Sequence, residues 1–235
     1  MLRFDIITIF PKIFDSYKEE SLIARAQKKK FIKINTHNLR DFTNDNHKTV
    51  DDRPFGGGLG MVLKVEPIYK AVNYIKHKSK ILNHKSKVVL FTPRGKKFNQ
   101  KMAFQFSKLD QLIFISGRYE GVDERVAKNI ADIELSIGDY DLMGGELPSM
   151  VVIEAVSRLV SGVLGKEQLL KERITKSGGF IEYAQYTRPE IFYAEDGSTS
   201  GVKTGKKKWK VPKVLTSGDH KKIEEWKRAH GKTIE

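Results

Sequence analysis

Apolar residues recur along this chain in two rhythms, one of strands and one of helices. Residues 2–10 (LRFDIITIF) are rich in β-branched and aromatic side chains and end at Pro11, which predicts a buried strand. Residues 12–28 carry Ile13, Phe14, Tyr17, Leu22, Ile23 and Ala26 at roughly helical spacing, and predict a helix broken near Ser21. Residues 31–39 alternate and predict a second strand. Residues 40–60 are polar, then glycine-rich, and read as a long loop; such length inside a compact domain marks function or disorder. Residues 65–77 predict a helix with Pro67 in its first turn. A strand over 87–93, stopped by Pro93, precedes an amphipathic helix over 98–108 and a strand over 111–117. A helix over 123–131, a strand over 132–138 and a long apolar helix over 146–163 complete the series. Strands alternating with helices predict an α/β fold, a mostly parallel sheet covered on both faces. Ligands bind such sheets beyond the carboxyl ends of the strands. The segments 92–95 (TPRG), 117–121 (GRYEG) and 137–140 (IGDY) fall there, three loops around one site.

The character changes after Gly165. Residues 165–178 are charged and lack an apolar stripe, as a linker or lid would. Residues 194–210 (AEDGSTSGVKTGKKKWK) are poor in aliphatics, end in a lysine run and read as an exposed loop. A short helix is predicted in the tail, within DHKKIEEWKRAH. The expected organisation is a main domain over residues 1–163, a linker over 164–179 and a small, helical C-terminal domain over 180–235.

Charge sharpens this picture. Lys and Arg number 43 against 29 Asp and Glu, a net +14, which favours a polyanionic partner, RNA or DNA first; solvated lysines of a basic proteome would give the same balance. With no cysteine, disulfides, thiolate zinc sites and a cysteine nucleophile are excluded. The first residues carry Arg3, Asp5 and Pro11 and lack the apolar region and cleavage site of a signal peptide. No apolar run approaches a membrane span. A soluble, cytoplasmic protein without a membrane partner is expected.

The candidate chemistry lies mostly in two glycine-rich blocks, GRYEG (117–121) and SIGDYDLMGGE (136–146). Glycine at that density marks backbone that bends sharply or approaches a ligand closely. Glu120 and Asp139 in these blocks could face a cationic group such as a sulfonium or ammonium, or serve as turn or capping acids. Asp51, Asp52 and Arg53 could hold a cation or phosphate; a salt-bridged turn accounts for them equally. FGGGLG (55–60), with Gly57 and Gly58, could form an anion nest beside Arg53. Arg158 falls on the otherwise apolar helix, flanked by Val156, Leu159 and Val160, and needs a partner, either a bound anion or developing oxyanion or a structural ion pair. There is no GxGxxG after the first strand, no GxxxxGK[ST], and no metal-ligand spacing among the six histidines, so no metal site is expected.

RDFTNDNHKTVDDRPFGGGLGM (40–61), SGRYEGVDERV (116–126), SIGDYDLMGGELPSM (136–150), SRLVSGVLG (157–165), YTRPE (186–190) and VPKVLTSGDH (211–220) occur in this order. Together they closely resemble the bacterial tRNA (guanine-N1)-methyltransferases of the SPOUT superfamily, over nearly the whole chain. The resemblance implies a parallel sheet tied in a deep trefoil knot, a rare exception to the rule against threading. It implies a homodimer whose active site is shared between subunits, and S-adenosyl-L-methionine as methyl donor. It also implies methylation of N1 of the guanosine immediately 3′ of a tRNA anticodon, with tRNA bound by the C-terminal domain. Pro93, Gly117, Tyr119, Glu120, Ile137, Gly138, Asp139, Tyr140, Asp141, Leu142, Gly144 and Gly145 would hold the donor. Asp51, Asp52, Arg53, Gly57 and Gly58 would face the substrate base. A magnesium requirement is expected from the resemblance alone.

Guanine N1 carries a proton at neutral pH, so a base must remove it while a donor stabilises charge on O6. Arg158 matches the family's arginine and would be that donor. The family's base is an aspartate in the linker, but here the linker reads KEQLLKERITKSGG (166–179) without one. The spacing lands on Arg173, next to Glu172. Either Glu172 takes over as base, with Glu167 the weaker candidate, or another group does, or the chain is a weak or inactive RNA-binding homologue. Two further departures are Leu59, where the family has proline, and the basic insertion at 194–210, where the lysines would track phosphates and Trp209 would stack on a base.

Overall fold

The computed structural model describes residues 1–81, 83–165, 173–194 and 207–234. They fall into two compact units, Met1–Glu172 and Arg173–Glu235. In the first unit, strands β1 (Leu2–Thr8), β2 (Ile32–Asn38), β5 (Ser86–Lys97), β6 (Gln111–Ile115) and β7 (Ile133–Ser136) form one parallel sheet in the order β2-β1-β6-β5-β7. A central parallel strand is buried on both faces and so needs continuous apolar sequence; QLIFI of β6 is buried throughout.

Helices α2 (Ser21–Lys28), α4 (Gln100–Phe106) and α6 (Glu146–Ser157) cover one face. Ile23, Phe106, Ile153 and Val156 meet Phe4, Ile6, Val89 and Phe114 there. Helices α3 (Val65–Ser79) and α5 (Glu124–Asn129) cover the other, where Ile68, Val72 and Val126 meet Ile7, Val88 and Ile113. Alternation along β1 assigns its side chains to the two cores. The rings of Phe4, Phe91 and Phe114 lie 6.0 and 5.2 Å apart across the first core. Truncating Phe114 to alanine removes both ring contacts and costs about 3–5 kcal/mol.

The break expected near Ser21 is present: α1 (Asp15–Glu19) stops, and Ser21 has a φ of 55° at the start of α2. Asn99 and Asp123 cap α4 and α5 by accepting backbone N–H bonds from Met102 and Arg125. The long loop contains two short antiparallel strands, β3 (Asp51–Asp52) and β4 (Val62–Leu63). The last helix is shorter than its apolar run: α6 ends at Ser157 and Arg158 is its C-cap.

Pro93 does not stop its strand, contrary to expectation. β5 pairs with β7 up to Phe91, bulges over residues 92–95 and pairs again from Lys96. Proline has no N–H to donate, and a bulge is where a strand tolerates that loss. Gly95 permits the return. A Cβ there would lie 2.5 Å from the Leu135 backbone nitrogen.

From β7 the chain crosses back toward β6. The Gly145 N–H donates to the Gly117 carbonyl at 3.0 Å, and Arg118 pairs with Gly144 in an antiparallel bridge. The chain then enters α6, which contacts β1 and α4.

The second unit contains β8 (Phe180–Tyr183) paired antiparallel with β11 (Gly231–Ile234), and β9 (Ile191–Ala194) paired antiparallel with β10 (Lys207–Lys210). Helices α7 (Lys213–Thr216) and α8 (His220–Ala229) follow the second pair. The tail helix was legible; the strands were not. The described end of the lysine-rich segment is paired strand rather than irregular loop.

Candidate active site

A cavity of about 360 Å³ opens between the bulge in β5 and the ends of β6 and β7. That lies within the usual range for small-molecule sites, roughly 300–1,000 Å³. Its wall is made of the β5 bulge, the loop after β6 and the loop after β7, the three segments that the strand pattern placed together. Eleven of the twelve expected donor-binding residues line it: Pro93, Gly117, Tyr119, Glu120, Ile137, Gly138, Tyr140, Asp141, Leu142, Gly144 and Gly145. Asp139 does not; its carboxylate is exposed and paired with Lys97 on the far end of β5.

Much of this wall is main chain. A Cβ at Gly145 would lie 2.7 Å from the Cα of Ser116, so only glycine lets the two loops close on each other. Tyr140 folds back over Gly138, and its hydroxyl donates to the Ile137 carbonyl at 3.3 Å. Tyr119 has a φ of 60° and presents an exposed ring at the rim.

Arg118 and Glu146 lie inside the glycine blocks, but no local pattern marks them as partners. The Arg118 Nε donates to Glu146 Oε2 at 2.9 Å, and the Thr8 hydroxyl donates to Oε1 at 2.7 Å. The Glu146 side chain is only 2% exposed. Its carboxylate therefore joins both loops to the end of β1. Arg94, on the bulge, bonds Glu134 and Glu124, and the Glu124 bond leads in raising its pKa above the ordinary guanidinium value. Leu90, Met143 and Pro148 also line the cavity; their apolar character gave no signal beyond core packing.

The expected substrate residues lie on a neighbouring hairpin. Asp51 faces Leu63 and Asp52 faces Val62 across β3 and β4. Leu63 donates its N–H to Gly121 and accepts from Asp123, while Glu120 donates its N–H to Met61, at 2.9–3.0 Å. The hairpin is thereby stitched to the cavity's GRYEG wall. Arg53, Gly57 and Gly58 are exposed, with both glycines at positive φ. The Glu120 side chain reaches back over Gly60, where a Cβ would be 2.7 Å from its Cγ.

Arg158 is half-buried at the end of α6 and does not line the cavity. Glu172 and Glu167 lie outside the described residues. Arg173, where the spacing lands, is held within the second unit: its Nη1 donates to Glu182 at 3.1 Å, and its guanidinium lies 4.6 Å from the Tyr183 ring centre. Among the described residues, no group of three or more His, Asp or Glu could hold a metal ion, and no helix is long and apolar enough to cross a membrane.

The sequence resembles known proteins over nearly its full length. The family model described as tRNA (Guanine-1)-methyltransferase TrmD matches residues 2–234. A tRNA (guanine-N(1)-)-methyltransferase of Dictyoglomus turgidum is 49% identical over 228 residues, spanning 97% of this chain and 84% of that protein. One of Clostridioides difficile is 46% identical over 97% of this chain and 91% of its own length. The crystal structure of tRNA (m1G37) methyltransferase from Aquifex aeolicus superposes with a TM-score of 0.73 at 41% identity, covering 97% and 88% of the two chains. Match over this length, in sequence and in fold, makes the chain a member of the tRNA (guanine-N1)-methyltransferase family.

Proposed function

We propose that the protein transfers a methyl group from S-adenosyl-L-methionine to N1 of the guanosine immediately 3′ of a tRNA anticodon. One observation carries the reading: a glycine-rich cavity walled by the β5 bulge and the loops after β6 and β7, stitched directly to an acidic hairpin that can face a nucleobase. The close glycine-lined approaches fit a ligand held largely through main-chain groups. We propose that the return of the chain from β7 past Gly117 into α6 is the trefoil knot.

When bound, the donor supplies a methyl already activated on its sulfonium. The chain's own task is to position guanine, remove the N1 proton and hold charge on O6. Arg158 donates to O6, and Glu172 accepts the N1 proton in place of the aspartate found in the family. Asp51 and Asp52, with Arg53, Gly57 and Gly58, hold the base and its phosphates. Magnesium finds no ligand cluster among the described residues, and no step is routed through it.

Residues 1–163 bind the donor, 164–179 act as a lid and 180–235 bind tRNA, in a cytoplasmic homodimer that shares each active site. Leu147 and Val151 support the dimer. They lie one turn apart on α6 and are 58% and 44% exposed. Apolar side chains grouped on a surface mark an interface.

The test is methyl incorporation into an unmodified tRNA bearing a guanosine after the anticodon, with the product nucleoside mapped by mass spectrometry. N1-methylguanosine is expected; methylation elsewhere, or none, overturns the reading. Glu172→Gln is expected to lower kcat at least about 100-fold by removing the base, and Arg158→Ala by a similar factor through O6. An unchanged rate in either variant withdraws that residue's role.

A further inference from the structure

The pair β9–β10 has no place in the donor cavity, yet its composition is unusual. Its eight residues are Ile191, Phe192, Tyr193 and Ala194, then Lys207, Lys208, Trp209 and Lys210. None is acidic. Every one except Ala194 is exposed; Phe192 retains 51%, Tyr193 50% and Trp209 56% of full accessibility. An isolated two-stranded ladder is marginal in water unless something covers it. Three aromatic rings left in solvent therefore need a function.

The register sorts the side chains. Trp209 pairs with Phe192, and Lys208 with Tyr193. Side chains of adjacent residues on a strand leave opposite faces, so the Trp209 and Phe192 rings share one face with Lys207. Those rings lie 5.5 Å apart, tilted by 39°. On the opposite face the Lys208 ammonium lies 5.6 Å from the Tyr193 ring centre, and Lys210 follows it. Exposed aromatic rings with ammonium groups on both faces of the ladder recognise one chemistry well: an unpaired nucleobase stacked on a ring with the flanking phosphates against the lysines. An acidic peptide would match the cations but leave the exposed rings without a partner.

We propose that the β9–β10 pair is an auxiliary RNA-binding element, with Trp209 and Phe192 stacking on an unpaired base of the tRNA, Lys207 neutralising a phosphate on that face, and Lys208 and Lys210 neutralising neighbouring phosphates from the opposite face. The proposal rests on the assignment of tRNA as substrate, but assigns no chemistry to these residues. It predicts that they affect tRNA capture and leave the methyl-transfer step alone.

The experiment uses the full chain and an unmodified tRNA transcript. Phe192→Ala with Trp209→Ala is expected to raise the KM for tRNA and its Kd about tenfold, the scale of losing one stacked base. The kcat and the heat of S-adenosylmethionine binding stay unchanged. Trp209→Phe restores most of the affinity. Replacing Lys207, Lys208 and Lys210 with alanine flattens the plot of log Kd against log salt by about two, at roughly 0.7 per phosphate contact. The chain has only two tryptophans, so in a Trp226→Phe background Trp209 reports alone, and its fluorescence is quenched on adding tRNA. Unaltered tRNA affinity and salt slope in these variants, with donor binding intact, would overturn the proposal. Quenching and salt-dependent binding without N1 methylation would instead overturn the proposed reaction and leave the RNA-binding element standing.

Discussion

At the scale of single residues, the site depends on atoms that are missing. Gly145 fits against Ser116 because it has no Cβ, and the obstructing atom would be backbone, which cannot rotate aside. Gly145→Ala must therefore push the two cavity loops apart. Donor affinity by calorimetry is expected to fall at least about tenfold, as precise loop positioning is lost. Gly165→Ala is the control, since among the described residues no atom lies within 4 Å of its added methyl. The buried pair beneath these loops makes a second prediction. Arg118→Ala leaves the Glu146 carboxylate, almost wholly buried, with only the Thr8 hydroxyl bond among those described above. Removing one partner of a buried pair costs about 3–5 kcal/mol. Urea unfolding reads that loss, and Glu146→Gln, which removes the buried charge as well, is expected to lose less. Sequence alone could rank these blocks as important because glycine and acids cluster there. It could not show that Arg118 and Glu146 meet, because that pairing depends on a return of the chain across 28 residues.

At the scale of elements, the strands and helices of the first unit were largely legible because a parallel sheet with two covered faces demands unbroken apolar runs. Pro93 misled for a physical reason. Local rules treat proline as a terminator, but here strand pairing resumes at Lys96 after a bulge and overrides it. The strands of the second unit gave no signal. Lys207–Lys210 shows no alternation of apolar and polar types and faces water on both sides, so its sequence carries no strand pattern. The Asp5 network gave no signal either. The wholly buried Asp5 of β1 accepts from Asn35 at 2.8 Å, lies 3.0 Å from His37 Nε2, both on β2, and accepts from Gln111 of β6 at 2.7 Å; the Gln111 oxygen in turn accepts from Ser79 of α3 and Ser86 of β5. Burial pushes the Asp5 carboxyl up. The bonds from His37, Gln111 and Asn35, with the charge of Arg3, outweigh that and hold it below its ordinary value. A depressed carboxylate contributes its stability above the unfolded value, about pH 4, and loses it as pH falls through the lower folded value. Asp5→Asn is therefore expected to lose about 2 kcal/mol at pH 7, the worth of charge-assisted bonds. In urea melts, its deficit against the parent should shrink as the pH drops below 4. A constant deficit would assign the network's value to packing instead.

At the scale of the whole molecule, the open question is what covers α6. Its inward side chains, Val152, Ile153 and Val156, are fully buried against the sheet. Its outward side carries Leu147 and Val151 where a solvent-facing helix would carry charge. Tyr17 bonds Glu154 at 2.9 Å at the margin of this surface, so the helix is already anchored within its own protomer and does not need the outward residues for that purpose. Leu147 and Val151 thus contribute little to the fold of one chain, and the proposed dimer explains their presence. Val151→Glu separates the two roles. Within a protomer the new carboxylate remains in water, and surface changes of that kind stay within about 0.5 kcal/mol. Across an interface it would be a buried charge without a partner, costing several kcal/mol on each side of a twofold axis. The expected result is an unchanged circular dichroism spectrum and melting temperature at low protein concentration, with sedimentation shifting from dimer to monomer. Methyl transfer is expected to fall with the dimer population, because each site is proposed to need both subunits. If the parent chain already sediments as a monomer while it methylates tRNA, the shared site is wrong, and residues from one chain must complete the chemistry.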